Sequence, residues 1–112
     1  MFAIADGSDA GTLVLTGELD MAVEDELRVA LAEVPGSDGA GIILDLSQLT
    51  FMDSRGLSVI LETAAALQAP AQLVLRDPPE TVRRLFEICL PTGHPRLRFE
   101  PPETAAAMEA GA

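Results

Sequence analysis

The stretch Asp45-Leu46-Ser47-Gln48-Leu49-Thr50-Phe51-Met52-Asp53-Ser54-Arg55-Gly56-Leu57 leaves an apolar strand and enters an amphipathic helix. Just before it, Ile42 to Leu46 is a compact apolar run broken only by Asp45, as expected of a central strand covered on both faces. Ser47 to Phe51 leads out of that strand. Gly56 to Ala69 then sets Leu57, Ile60, Leu61, Ala64 and Leu67 on one helical stripe, and Pro70 stops the helix. Ser54 falls where a helix N-cap belongs, and Gly56 permits close approach to the helix start. Read alone, this is a capped helix at the end of a strand. In open α/β sheets such a strand end is also where ligands and partners meet the fold.

Upstream, Phe2, Ile4 and Asp6 alternate with alanines and suit a short first strand, followed by a turn over Gly7 to Gly11. Thr12 to Thr16 is a second strand able to form a hairpin with the first, and Gly17 ends it. Met21 to Val34 is helical in pattern, with Val23, Leu27, Ala30, Leu31 and Val34 on one stripe. Asp20 is its natural N-cap, the acidic residues Glu24 to Glu26 suit its early turns, and Pro35-Gly36 stops it. Downstream, Leu73 to Leu75 is a strand closed by Asp77-Pro78-Pro79. Val82, Leu85, Phe86, Cys89 and Leu90 form a third helical stripe, in which Cys89 reads as a buried packing residue. Pro91 to Pro95 is a loop, and Leu97 and Phe99 share one face of a last short strand. The alanine-rich tail after Pro101-Pro102 suits a fourth, weakly amphipathic helix.

The strand–helix–strand–helix–strand run after Gly41 requires crossover connections and hence parallel pairing, whereas the initial hairpin is antiparallel. The expected fold class is therefore α/β, with a mixed sheet packed against about four helices. With 112 residues, the chain suits a single domain over 1–112.

Composition narrows the function. The formal net charge is −11, and all seven basic residues are arginines, with no lysine. Nucleic acid and anionic membrane surfaces need a cationic face, so neither is an expected partner; the charge either steers a basic protein surface toward the chain or only maintains solubility. Without lysine there is no phosphate-binding P-loop and no Schiff-base chemistry, and a receiver-type aspartate cluster is disfavoured. One cysteine, Cys89, allows no internal disulfide and no cysteine-based zinc site. No secretory signal is visible and no apolar run approaches the roughly 18 residues of a membrane span, so a cytoplasmic location is expected.

The quoted stretch resembles the signature of STAS domains, and specifically of the anti-sigma factor antagonists. In that family a strand ends in an Asp/Asn-Leu pair, followed by Leu-x-Phe-x-Asp-Ser-x-Gly-Leu. Here the match is Asp45-Leu46, Leu49, Phe51, Asp53, Ser54, Gly56 and Leu57. Thr16-Gly17-Glu18-Leu19-Asp20 lies at the family's position between second strand and first helix, and Phe86 within Val82 to Phe86 resembles its third helix. The likeness runs from about Gly11 to Glu100, and 101–112 is a tail. The chain departs from the family after Cys89, where it has Pro91-Thr92-Gly93-His94-Pro95.

The resemblance implies a STAS-like domain with no catalysis of its own. Its unphosphorylated form binds an anti-sigma factor, itself a serine kinase in many such systems, and so frees a sigma factor. Phosphorylation at Ser54 switches binding off, and a phosphatase reverses it. Asp20, Met52, Asp53, Ser54, Arg55 and Gly56 are the expected partner-binding positions. The alternative is a STAS subunit of a lipid-transport or stress-sensing complex.

Other constellations are weaker. A Ser54–His94–aspartate triad lacks the Gly-x-Ser-x-Gly elbow, and His94 is the only histidine. Asp20, Asp45 and Asp53 show no metal-binding spacing. No catalytic residue, metal or cofactor is expected.

Overall fold

Leu13, Leu44, Leu75 and Phe99 stand side by side across four strands, and Ile42, Leu73 and Leu97 form the next row. These rows face the helices and anchor the core. The computed structural model describes residues 2–7, 11–34 and 41–100. Over these, the strands are β1 (Phe2–Asp6), β2 (Thr12–Leu19), β3 (Ile42–Met52), β4 (Leu73–Arg76) and β5 (Leu97–Glu100). The helices are α1 (Glu24–Glu33), α2 (Ser54–Ala66) and α3 (Glu80–Cys89), with a 3₁₀ turn at Met21–Val23 before α1. The expected fourth helix falls outside the described residues.

The five strands lie in sequence order, β1 antiparallel to β2 and each later pair parallel. The expected mixed sheet with an N-terminal hairpin is thus the observed one. Successive right-handed crossovers that all advance in one direction place their helices on one face of the sheet. Leu27 and Leu31 of α1, Leu57, Ile60 and Ala64 of α2, and Val82 and Phe86 of α3 close that face, all buried. Apolar burial of this kind is the main favourable contribution to folding, about 25 cal/mol per Å². At the far edge, the Phe86 ring meets Phe99 edge-on at 5.7 Å, and the Arg83 guanidinium sits 5.3 Å from the Phe99 centroid.

Four local expectations are corrected. β3 does not end at Leu46 but runs on to Met52. The polar Ser47-Gln48 breaks the apolar run without breaking the ladder. Two register irregularities in β2, between Val14 and Thr16 and between Gly17 and Glu18, let both strands continue together. Gly17 adopts φ 93°, a left-handed conformation suited to glycine, and the Thr50 hydroxyl donates to its carbonyl at 3.1 Å.

Nor is β3 buried on both faces: Ile43 and Asp45, which point away from the helices, are only half-buried. Asp45 accepts hydrogen bonds there from the Ser47 amide at 3.0 Å and the Ser47 hydroxyl at 2.6 Å.

The helix expected from Met21 begins instead with the 3₁₀ turn, and α1 proper starts at Glu24. Finally, Cys89 is exposed. The chain leaves helical geometry at Leu90, and it is Leu90 that packs against the core while Cys89 faces out.

Candidate functional site

β2 and β3 end level with each other, Leu19 beside Met52 in parallel register. Each strand is followed by an aspartate in extended conformation, Asp20 (ψ −175°) and Asp53 (ψ −177°). Each aspartate turns its carboxylate onto the amides of the helical segment that follows. Asp20 Oδ1 accepts from the Ala22 amide at 3.0 Å. Asp53 Oδ1 accepts from the Arg55 amide at 3.0 Å and the Gly56 amide at 3.1 Å. Two capped helical starts therefore stand side by side on the edge of the sheet formed by the carboxyl ends of β2 and β3, and the Asp53 amide donates to the Leu19 carbonyl at 3.1 Å, tying them together.

This corrects the expected cap. Asp53, not Ser54, is the N-cap of α2, and Ser54 is the first helical residue. The reason is the backbone: β3 carries Asp53 in extended geometry with its amide already engaged, so the helix begins one residue later. Ser54 is exposed. Its carbonyl accepts from the Ser58 hydroxyl at 2.9 Å, while its own hydroxyl engages no group among the described residues.

The remaining expected positions divide by exposure. Arg55 is exposed, whereas Met52 and Gly56 are buried. Met52 and Gly56 thus shape the edge from beneath instead of forming its surface. A Cβ on Gly56 would lie 2.6 Å from Leu19 Cγ and 3.2 Å from the Leu19 carbonyl oxygen. That position therefore requires glycine for space, since α2 packs directly on the end of β2.

The apolar part of the exposed edge comes from elsewhere. Phe51, at the end of β3, and Met21, directly after Asp20, are 47% and 67% exposed. Met21 was not among the expected site residues, although the α1 stripe of Val23, Leu27, Ala30, Leu31 and Val34 leaves it out, and that omission was the available signal.

Charges surround the edge. Glu18, Asp20, Glu24 and Asp53 are its acids and Arg55 its adjacent cation. Arg55 Nη1 lies 3.6 Å from Glu24 Oε1. Farther along the α1–α2 seam, Arg28 binds Glu62 at 3.0 Å and Asp25 at 3.2 Å. The hydrogen bond that Arg28 donates to Glu62, aided by the charge of Glu24, raises the Arg28 pKa above its ordinary value, so that side chain stays cationic.

His94 sits at the other edge, before β5, where its Nδ1 accepts from the Arg96 amide at 3.0 Å. Leu97 is in register with Leu73, and Leu73 with Ile42 at the start of β3, so the length of the sheet separates His94 from Ser54. No Ser54–His94 pair forms. Asp20 and Asp53 are committed to their caps, and among the described residues no three histidine, cysteine or acidic side chains group in a metal-binding arrangement. No helix among them is long and apolar enough to cross a membrane.

Comparison with known proteins agrees with this fold. Residues 2–89 match the family described as Mlab, STAS domain. The anti-sigma-B factor antagonists of Listeria monocytogenes and Listeria innocua are each 31% identical over 77 residues, covering 68% of this chain and 68% of theirs. Two solved structures share the fold. The anti-sigma factor antagonist SpoIIAA in its unphosphorylated form has a TM-score of 0.63 and 24% identity, covering all of this chain and 99% of that one. An anti-sigma factor antagonist from Mycobacterium paratuberculosis has a TM-score of 0.62 and 22% identity, covering all of this chain and 94% of that one. On its sequence match and its sheet topology together, this chain belongs to the STAS domain family, among the anti-sigma factor antagonists.

Proposed function

We propose that this protein is a phosphorylation-switched binding module in the cytoplasm. Its unmodified form binds an anti-sigma factor through the β2–β3 edge and so releases a sigma factor. The observation that carries this reading is the division of labour between Asp53 and Ser54. Asp53 caps the helix start, which leaves the Ser54 hydroxyl exposed and without a partner among the described residues. A residue so placed can be modified without unmaking the fold.

The partner's kinase activity would transfer the γ-phosphoryl group of ATP to Ser54 Oγ, releasing ADP and the hydroxyl proton. A phosphatase would hydrolyse the ester. This chain supplies the acceptor and no catalytic group. Phosphate adds about −1.5 to −2 charges. The N-terminus of α2 is suited to bear them. An interface shaped around a neutral hydroxyl, with Asp20 and Asp53 alongside, is not. A thousandfold loss of affinity corresponds to only about 4 kcal/mol, within reach of one badly placed charge. Phe51 and Met21 would supply the apolar contacts, and the acidic rim would match a basic surface on the partner.

Affinity capture from native lysate, with and without phosphatase treatment, tests the reading. Recovery of a histidine-kinase-like ATPase, enhanced by phosphatase, is expected. Recovery of transporter or large stress-complex subunits instead would favour the alternative STAS role.

A further inference from the structure

Glu24, the first residue of α1, serves two arginines at once. Its Oε1 lies 3.6 Å from Arg55 Nη1, and its Oε2 lies 3.5 Å from both terminal nitrogens of Arg28. Arg28 in turn reaches Glu62 on α2. The residue next to Ser54 is therefore the end of an ion-pair chain across the α1–α2 seam. The other five arginines all lie between positions 76 and 98, on β4, α3, β5 and the turn before β5.

We infer that Arg55 has two alternative partners: Glu24 while Ser54 bears a hydroxyl, and the phosphate once Ser54 is esterified. This rests on the reading of Ser54 as the modified residue. The Arg55 side chain is 61% exposed and its contact with Glu24 is long, so the existing pair holds it loosely. A phosphate dianion offers the guanidinium fork a stronger, bidentate acceptor. Glu24 keeps Arg28 when Arg55 leaves. Adjacent helix positions point about 100° apart, a gap that a short cation would not bridge and the long arginine side chain does.

The exchange has two consequences. The phosphate is partly neutralised within the chain, which spares the fold its repulsion from Asp20, Asp53, Glu18 and Glu24. One tie between α1 and α2 is also released, so modification at Ser54 alters the surface of α1 as well.

The test installs phosphoserine at position 54 during synthesis, without any kinase. The parent, Arg55→Gln and the remote control Arg84→Gln are titrated by phosphorus NMR. The Arg55 Nε–Hε resonance is compared between the modified and unmodified parent. Arg55→Gln is expected to raise the second phosphate midpoint by about half a unit or more from its usual value near 6. Arg84→Gln should leave it in place, and the Arg55 Hε resonance should move downfield on modification. An unmoved Hε resonance, or a midpoint in Arg55→Gln that matches the Arg84→Gln control, overturns the inference. If a cellular kinase modifies a different residue, the reading of Ser54 fails, while this titration still reports on Arg55.

Discussion

Leu19 fills the space that a side chain on Gly56 would occupy. Its Cγ is 2.6 Å from where that Cβ would stand, and its own side chain is fully buried. The start of α2 is thereby pressed against the end of β2, and the two aspartate-capped turns are held in fixed relation.

Gly56→Ala should accordingly destabilise the protein by about 1–3 kcal/mol, as overpacking does. Chemical denaturation measures it. Shortening Leu19 to alanine in the same chain should recover part of the loss created by the added methyl, so the two substitutions should be less than additive. Simple additivity would mean that the contact does not limit this position.

Asp53→Ala should cost about 0.5–2 kcal/mol, the usual range for a lost N-cap. Ser54→Ala should change stability by no more than about 0.5 kcal/mol, as for an exposed residue without a structural task. Thermal unfolding of the two variants orders them directly. If Ser54→Ala were the more damaging, the cap would be misassigned.

Charge at Ser54 should separate binding from folding. Ser54→Asp places a carboxylate at the first position of α2, which the helix dipole favours, so the melting temperature should hold. Affinity for the anti-sigma factor should nevertheless fall, by less than full phosphorylation achieves, because the mimic carries less charge. Ser54→Ala should bind constitutively, even in the presence of kinase and ATP. Calorimetric titration of both variants checks this. Undiminished binding by Ser54→Asp would remove the electrostatic account of the switch.

Phe51→Ala and Met21→Ala should each weaken the complex by about 1–2 kcal/mol while leaving unfolding nearly unchanged, because both side chains are exposed in the free protein. Parallel binding and melting measurements distinguish a contact residue from a packing residue. A fall in stability as large as the fall in affinity would place these side chains in the core instead.

Much of this was legible before the structure. The periods of the three helices, the hairpin and the crossovers gave the α/β class. The Asp-Ser-x-Gly junction marked the candidate edge. The misread features share a cause. Serine and aspartate are both good caps, and only the extended geometry of Asp53, with its amide on Leu19, decides between them. Cys89 has the right period for its stripe, but Leu90 takes the covering position beside it. Ser47-Gln48 looks like the end of a strand, yet the irregular register of β2 carries the pairing on to Met52.

The order and type of the described elements, the absence of lysine chemistry and the serine where a strand meets a helix all follow from the residues read along the chain. These depend on local period, composition and turn residues, which are properties of neighbours along the chain. It takes the folded chain to bring Asp20 and Asp53 side by side, to press Leu19 against Gly56, to set Glu24 against Arg55 and to turn Met21 and Phe51 outward. Those relations join residues about thirty positions apart through the parallel register of β2 and β3. That register is set by packing the leucine rows against three helices at once, a collective choice that no local pattern encodes.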